Sequence, residues 1–270
     1  MEGPPARAIL HPSYLVNSHH ITLVIPAFRE AGRIAAYVND LASKIISQSL
    51  PISVTVVDDG SGEAEVEETR LALEPSFRHK PSILKIIALP ENTGKGGAIK
   101  AGWNDLEPSC TFVAFADADG SVSARETIRF LKIALASNGS TTYFASRIKM
   151  LGREIYRSNL RHLTGRVFAT VVSLTTRVPV YDSQCGCKVV PRAAYESLKH
   201  VLEENRFAFD VELMTALIRS GNVIEEIPVD WHDVSGSKVS ILRDSIRMFI
   251  SCLKIRIRSR NWTFPSKGKL

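Results

Sequence analysis

The chain has 270 residues, 44% hydrophobic and 23% charged, which excludes a disordered, collagen-like or disulfide-scaffold description of the whole and predicts one or two domains at ~150 residues each. Lys and Arg exceed Asp and Glu by 34 to 28, and the surplus sits at one end. From Gly236 onward there are nine basic residues and one acid, Asp244, so this segment carries +8 and the remainder −2. A basic segment on a near-neutral body points to a phosphate-rich or membrane-surface partner and not to nucleic acid.

Four cysteines (Cys110, Cys185, Cys187 and Cys252) are too few for a disulfide framework at this length. They lack the second pair that a sulfur-ligated zinc site needs. No apolar run approaches the ~18–20 residues of a membrane span. The N-terminus lacks the basic and apolar regions of a signal peptide.

Residues 1–20 hold three Pro and three His with little periodicity and read as a loosely ordered arm. Ile21 to Ile25 is a β-branched run, a buried strand stopped by Pro26. Helical spacing follows from Glu30 to Leu50, then a strand from Ile52 to Val57 and an acidic helix from Glu63 to Leu73. Leu84 to Leu89 is a third strand, after which Gly94, Gly96 and Gly97 open a helix to Trp103. Thr111 to Ala116 is a fourth strand, Arg125 to Ala136 a helix, and Thr142 to Ser146 a fifth strand. The second half is less regular. It predicts a helix from Arg153 to Ser173, a polar loop from Tyr181 to Gly186 and a strand at Lys188 to Val190. A helix from Phe209 to Ser220 ends at Gly221, Val223 to Trp231 is a strand, and Ser240 to Arg258 again has helical spacing.

Strands alternating with helices predict an α/β fold with a mostly parallel central sheet covered on both faces. Such sheets bind ligands beyond the carboxyl ends of their strands. The polar clusters Pro26–Glu30, Asp58–Ser61 and Asp117–Ser121 all follow strands, so three stretches aim at one crevice. With no internal repeat and no obvious linker, the expected division is an arm at 1–20, a catalytic domain at 21–240 and a basic amphipathic segment at 241–270.

Asp117-Ala118-Asp119 places two carboxylates at a strand end. That suits a hard divalent cation with open positions for phosphate oxygens, although Asp-Gly also favours a plain turn. In Asp58-Asp59-Gly60-Ser61 a carboxylate can accept from a nucleobase or ribose, or the cluster can cap the following helix. Asn92-Thr93-Gly94-Lys95-Gly96-Gly97 lacks the spacing of a phosphate-binding P-loop and reads as a flexible turn opening a helix. Arg147 follows a strand, Arg157 and Arg161 share a helix face by their spacing of four, and Lys238 lies in a Ser/Gly-rich stretch. Basic groups like these would neutralise a diphosphate leaving group. Asp182 to Gly186 is either a ligand loop or a surface turn. Asp210 reads as a helix N-cap and Glu212 as a partner of the helix dipole.

Together, Ile25-Pro26-Ala27-Phe28-Arg29-Glu30, Val57-Asp58-Asp59-Gly60-Ser61, Asn92-Thr93-Gly94-Lys95-Gly96 and Asp117-Ala118-Asp119 resemble the family 2 inverting glycosyltransferases of GT-A fold. Asp182-Ser183-Gln184-Cys185-Gly186-Cys187-Lys188, Phe209-Asp210-Val211-Glu212-Leu213 and Trp231 to Lys238 look like its polyprenyl-phosphate branch. The resemblance runs from about Ile21 to Arg260. It implies transfer of a hexose with inversion onto a polyprenyl or dolichyl phosphate, with glucose from UDP-glucose as the expected donor. The alternatives are mannose from GDP-mannose, or a soluble acceptor with Asp182 or Asp210 as base.

By the same resemblance, Pro26, Ala27, Phe28, Glu30, Val57 and Asp59 line the nucleoside pocket, and Lys95 belongs to the nucleotide-sugar site. Asp117 and Asp119, with Ala118 alongside, hold Mg²⁺ or Mn²⁺ on the diphosphate. Ser121 stands where related mannose synthases offer a Gln. Arg147 and Lys238 face the donor, Arg157, Arg161 and Lys238 face the acceptor phosphate, and Asp182 and Gln184 lie near the sugar. The glucosyltransferases of this branch carry an N-terminal membrane helix that this chain lacks. The expectation is therefore a cytoplasmic protein, peripheral on the cytosolic face of a membrane, with room for a membrane-anchored partner protein. The apolar stripe Ile241, Leu242, Ile246, Phe249, Ile250, Leu253 and Ile257, flanked by Arg243, Arg247, Lys254, Arg256, Arg258 and Arg260, suits a membrane interface or a helix packed on its own domain.

Overall fold

The computed structural model describes residues 19–148, 150, 152–156, 182–234 and 241–265. The arm up to residue 18, most of the helix expected at 153–173, and Arg157, Arg161, Tyr181 and Lys238 lie outside the described residues.

Four strand–helix units and a fifth strand build the first half: β1 (Ile21–Ala27), α1 (Ala31–Ser47), β2 (Ile52–Asp58), α2 (Glu63–Phe77), β3 (Leu84–Ala88), α3 (Lys95–Asn104), β4 (Phe112–Ala116), α4 (Ala124–Leu135) and β5 (Thr142–Ser146). The second half adds β6 (Ile155–Tyr156), β7 (Cys187–Pro191), α5 (Arg192–Leu198), α6 (Phe209–Arg219), β8 (Ile224–Pro228), β9 (Trp231–His232) and α7 (Ile241–Arg258). Seven strands form one sheet in the order β3-β2-β1-β4-β7-β5-β8, while β6 and β9 pair separately. Alternate residues feed opposite faces, as strand geometry requires. Leu23, Ile25, Phe112 and Ala114 join the core under α1, α2 and α4. Val24, Val113 and Phe115 join the core under α3, α5, α6 and α7.

Four boundaries differ from the sequence reading. Pro26 does not stop β1. The Ala27 carbonyl accepts from Asp59 on the β2 side, so Pro26 faces β4, where the ladder has already ended at Val24, and its missing N–H leaves no bond unmade. The expected strand Val223–Trp231 is divided between β8 and β9, with Val229 and Asp230 between them. Residues 155–156, expected in a helix, form β6, and α5 was not foreseen.

The sheet is parallel except for β7, which runs antiparallel to both β4 and β5. This reversal positions the site. The beginning of β7, rather than its end, lies with the carboxyl ends of the parallel strands. Cys187 pairs with Ala116, and the Gly186 carbonyl accepts the Asp117 N–H at 2.8 Å. The loop Asp182–Gly186 is thereby laid beside Asp117–Asp119.

Candidate active site

The edge of the sheet gathers Phe28–Glu30 after β1, Asp58–Ser61 after β2, Asp117–Ser121 after β4, Arg147 after β5 and Asp182–Gly186 before β7. Arg29 takes a left-handed backbone, φ 55°, and its N–H donates to Ser61 Oγ at 2.8 Å, tying the first two loops together. Glu30 pairs with Arg33 one turn on, with Nη2 to Oε1 at 2.6 Å. Glu65 from α2 accepts from the Ala31 N–H at the start of α1.

Asp59 is buried, and its carboxylate accepts from the Thr93 N–H at 2.7 Å, the Thr93 hydroxyl at 2.8 Å and the Gly94 N–H at 2.8 Å. Three of a carboxylate's roughly four acceptor positions are thus filled from within the chain. Asp59 therefore fixes the 92–94 turn. The side chain of Val57 is fully buried in the core under α3 and can meet a ligand only through its backbone. The glycine turn is packed rather than loose. A Cβ at Gly94 would lie 2.5 Å from the Asn205 carbonyl, and one at Gly96 2.6 Å from Phe209. The Gly97 N–H already donates to Asn205.

Four charges of alternating sign run through the site. Lys188, fully buried on β7, donates to Asp210 Oδ1 at 2.5 Å and to the Cys185 carbonyl at 2.8 Å. Asp210 Oδ2 lies 3.3 Å from Lys95 Nζ, which lies 2.8 Å from Asp117 Oδ1. The rings of Phe115 and Phe144 flank Lys188. Burial alone would raise Asp210, but Lys188 and Lys95 hold it below the ordinary carboxylate range. Burial opposes charge on Lys95, yet Asp117 and Asp210 push its pKa up. Burial raises Asp117 despite Lys95, with Asp119 adding to the rise. Asp210 lies inside α6, whose N-cap is Ala208, so the expected capping role gives way to a buried ion pair.

Asp117 and Asp119 stand at this edge with their oxygens only partly engaged. Asp117 is 39% exposed, and Asp119 Oδ1 accepts from the Ser121 N–H at 2.9 Å. A Cβ on Gly186 would fall 1.9 Å from Asp117 Oδ2, so only glycine leaves the carboxylate its position. Among the described residues, no three His, Cys, Asp or Glu side chains form a closed metal-binding group. Two oxygen donors with an open side fit a hard divalent cation that completes its shell with phosphate and water.

Across the loop, Asp182 receives Arg147 at both oxygens, Nε to Oδ2 at 2.6 Å and Nη2 to Oδ1 at 2.7 Å. It also accepts the Arg147 N–H at 3.0 Å and the Gln184 N–H at 3.2 Å. Burial would disfavour the cation, but Asp182 raises the Arg147 pKa, so the guanidinium stays charged. Two of its five N–H groups are used here, leaving three donors. Trp231 packs its ring 5.7 Å from the guanidinium. The Gln184 side-chain amide nitrogen is buried without a hydrogen-bond partner.

The structure thus brings Pro26, Ala27, Phe28, Glu30, Asp59, Lys95, Asp117, Ala118, Asp119, Arg147, Asp182 and Gln184 to one edge. The sequence reading missed Lys188 as the buried counter-ion. Its signal was a lysine inside the apolar run Cys187–Val190. Also missed was a second clamp in the first turn of α6. Glu212 is fully buried, accepting from Arg258 Nη2 at 2.6 Å and the Glu204 N–H at 2.7 Å. Arg258, expected among the surface cations, is drawn inward to Glu203, Glu204 and Glu212.

An edge of this composition on this sheet defines a GT-A glycosyltransferase. The chain belongs to glycosyl transferase family 2, whose family model matches residues 22–198. It is 30% identical over 249 residues to the dolichyl-phosphate beta-glucosyltransferase of Saccharomyces cerevisiae, covering 88% of this chain and 74% of that one. It is 27% identical to the human protein of the same name, covering 88% and 75%. Among solved structures, glucosyl-3-phosphoglycerate synthase of Mycobacterium tuberculosis in complex with Mn²⁺, UDP and glucosyl-3-phosphoglycerate superposes with a TM-score of 0.65 at 17% identity, covering 88% of this chain and 80% of that one. No helix among the described residues is long and apolar enough to cross a membrane.

Proposed function

We propose that the protein transfers glucose from UDP-glucose onto a polyprenyl phosphate of the dolichyl type, with inversion at the sugar C1. The observation that carries this reading is the state of the two candidate bases. From Arg147 and Gln184 alone Asp182 accepts four hydrogen bonds, and Asp210 is neutralised by two ammonium groups. Neither is free to take a proton from a sugar hydroxyl. A phosphate monoester, with its second pKa near ~6, is already mostly dianionic at neutral pH and needs no base. The names of the relatives support the same acceptor.

An acceptor phosphate oxygen attacks C1 from one face. The bond from C1 to the diphosphate oxygen breaks on the other, and UDP leaves with the electron pair. The protein's contribution is position and charge. Arg147, oriented by Asp182, presents its three remaining donors to phosphate oxygens. Gln184 offers an unfilled N–H to the sugar or diphosphate. Lys95 balances Asp117 before the donor arrives. Asp117 and Asp119 would hold Mg²⁺ or Mn²⁺, which supplies Lewis-acid stabilisation of the departing diphosphate. Lys238 remains assigned to the donor and acceptor phosphates and Arg161 to the acceptor by resemblance, with Arg157 joined to Arg161 by their spacing of four in the sequence.

The test is transfer of labelled sugar into an organic-extractable product. UDP-glucose and GDP-mannose are supplied separately with polyprenyl phosphate and Mg²⁺ or Mn²⁺, beside Asp119→Ala. Label from UDP-glucose in the organic phase, absent with Asp119→Ala, is expected. Label from GDP-mannose alone would reassign the sugar, and aqueous label alone would reject the lipid acceptor.

A further inference from the structure

Helix α7 is apolar on two sides. Its inner side holds Cys252 and Ile255, both buried in the core with α6, and Arg258 fastens its end to Glu212. Its outer side carries Ile246, Phe249, Ile250, Leu253 and Ile257, each between 39% and 65% exposed. Their spacing of three, four and seven residues puts them on one face. A domain-packed helix needs only the inner stripe, so the outer one is apolar surface that the described residues leave uncovered.

Beside that stripe lies a notch of about 370 Å³ lined by Arg206, Arg247, Ile250, Ser251 and Lys254. Its three cations come from two elements: Arg206 from the loop before α6, and Arg247 and Lys254 from one side of α7, two turns apart. None of the three has an acidic partner among the described residues. This contrasts with Arg258 on the same helix, which has three. Converging unpaired cations beside exposed hydrocarbon match the two layers of an anionic bilayer, with phosphate outside and acyl chain beneath.

We propose that the outer face of α7 docks on an anionic lipid bilayer, with the Arg206–Arg247–Lys254 notch seating a lipid phosphate headgroup. This surface is independent of the sugar transferred. Failed vesicle binding would leave the transfer assay intact with detergent-dispersed acceptor, and failed transfer would leave vesicle binding intact.

The full chain would be floated with vesicles of phosphatidylcholine alone, and of three parts phosphatidylcholine to one part phosphatidylserine. Binding to the anionic vesicles, weakened by salt, is expected. Arg247→Glu with Lys254→Glu should weaken it by about tenfold or more, and Phe249→Ser with Leu253→Ser should do the same through the apolar face. Arg206→Glu, outside α7, should also lower it. All of these positions are exposed, so thermal melting should match the parent. Equal binding to neutral vesicles, no binding, or binding unchanged in the charge variants would overturn the proposal. So would a dimer in sedimentation that dissociates with Phe249→Ser, which would assign the face to a second copy.

Discussion

Replacing Gly186 by alanine tests the site at a single atom. The added Cβ would lie 1.9 Å from Asp117 Oδ2 and 2.2 Å from its Cγ, whereas real Cβ contacts essentially never fall below 3.0 Å. The backbone at Gly186 is held by the Asp117 N–H to Gly186 carbonyl bond, so the carboxylate is the part that yields, by a little over 1 Å. A displacement of that size in a reacting constellation costs on the order of 10²-fold in rate. Overpacking costs stability too, about 1–3 kcal/mol. The expected result is kcat/KM for sugar transfer down by about 10²-fold, with a melting point lowered by no more than about 10 °C. Mn²⁺ affinity measured without donor should fall in parallel. An alanine variant with parental activity and parental Mn²⁺ binding would refute the placement of Asp117 against this loop.

Lys188→Met removes one partner of a fully buried pair and leaves Asp210 to Lys95 alone. Urea unfolding should show a loss of about 3–5 kcal/mol, and Lys188→Met with Asp210→Leu should recover part of it. An unchanged midpoint in the single variant would contradict the charge row. Glu212 is pushed up to about 7 from 4.5 by burial, which outweighs its Arg258 pairing. The folded state therefore keeps this proton after the unfolded chain has lost it. Stability through this group should be greatest below about pH 4.5 and decline until about pH 7, by on the order of 3 kcal/mol. Glu212→Gln should flatten that decline in urea titrations across the window, and an unaltered slope would assign it elsewhere. Arg147→Lys cannot hold both oxygens of Asp182 at once; donor-saturated turnover should fall by about 10²-fold, and parental turnover would remove Arg147 from the transfer step.

The first half of the fold was legible because its strands are continuous apolar runs punctuated by Gly, Pro and Asp. The reversal of β7 was not, since five residues of strand carry no mark of direction. Two-residue β6 and β9, and seven-residue α5, are too short for periodicity to register. The acidic members of the site could be read because each follows a strand. Their partners could not, because Lys95 meets Asp210 across 115 positions of sequence and Arg147 meets Asp182 across 35. Asp59 illustrates the limit of residue type. Its position after a strand marks it as a candidate ligand contact, but nothing in residue type shows that the same carboxylate also secures the Thr93–Gly94 turn.

The first turn of α6 carries Asp210 toward the cleft and, two residues on, Glu212 toward Arg258. Trp262 and Phe264, beyond α7, also pack into the core of that face, and the Thr263 carbonyl meets His200. The chain's closing stretch is therefore a retaining wall for the catalytic edge. Cutting the polypeptide ahead of Ile241 to obtain a minimal transferase would strip the counter-charge from a carboxylate buried one short step from Asp210. A fusion partner or a shortened end belongs after Phe264, which keeps every described residue of that wall in place.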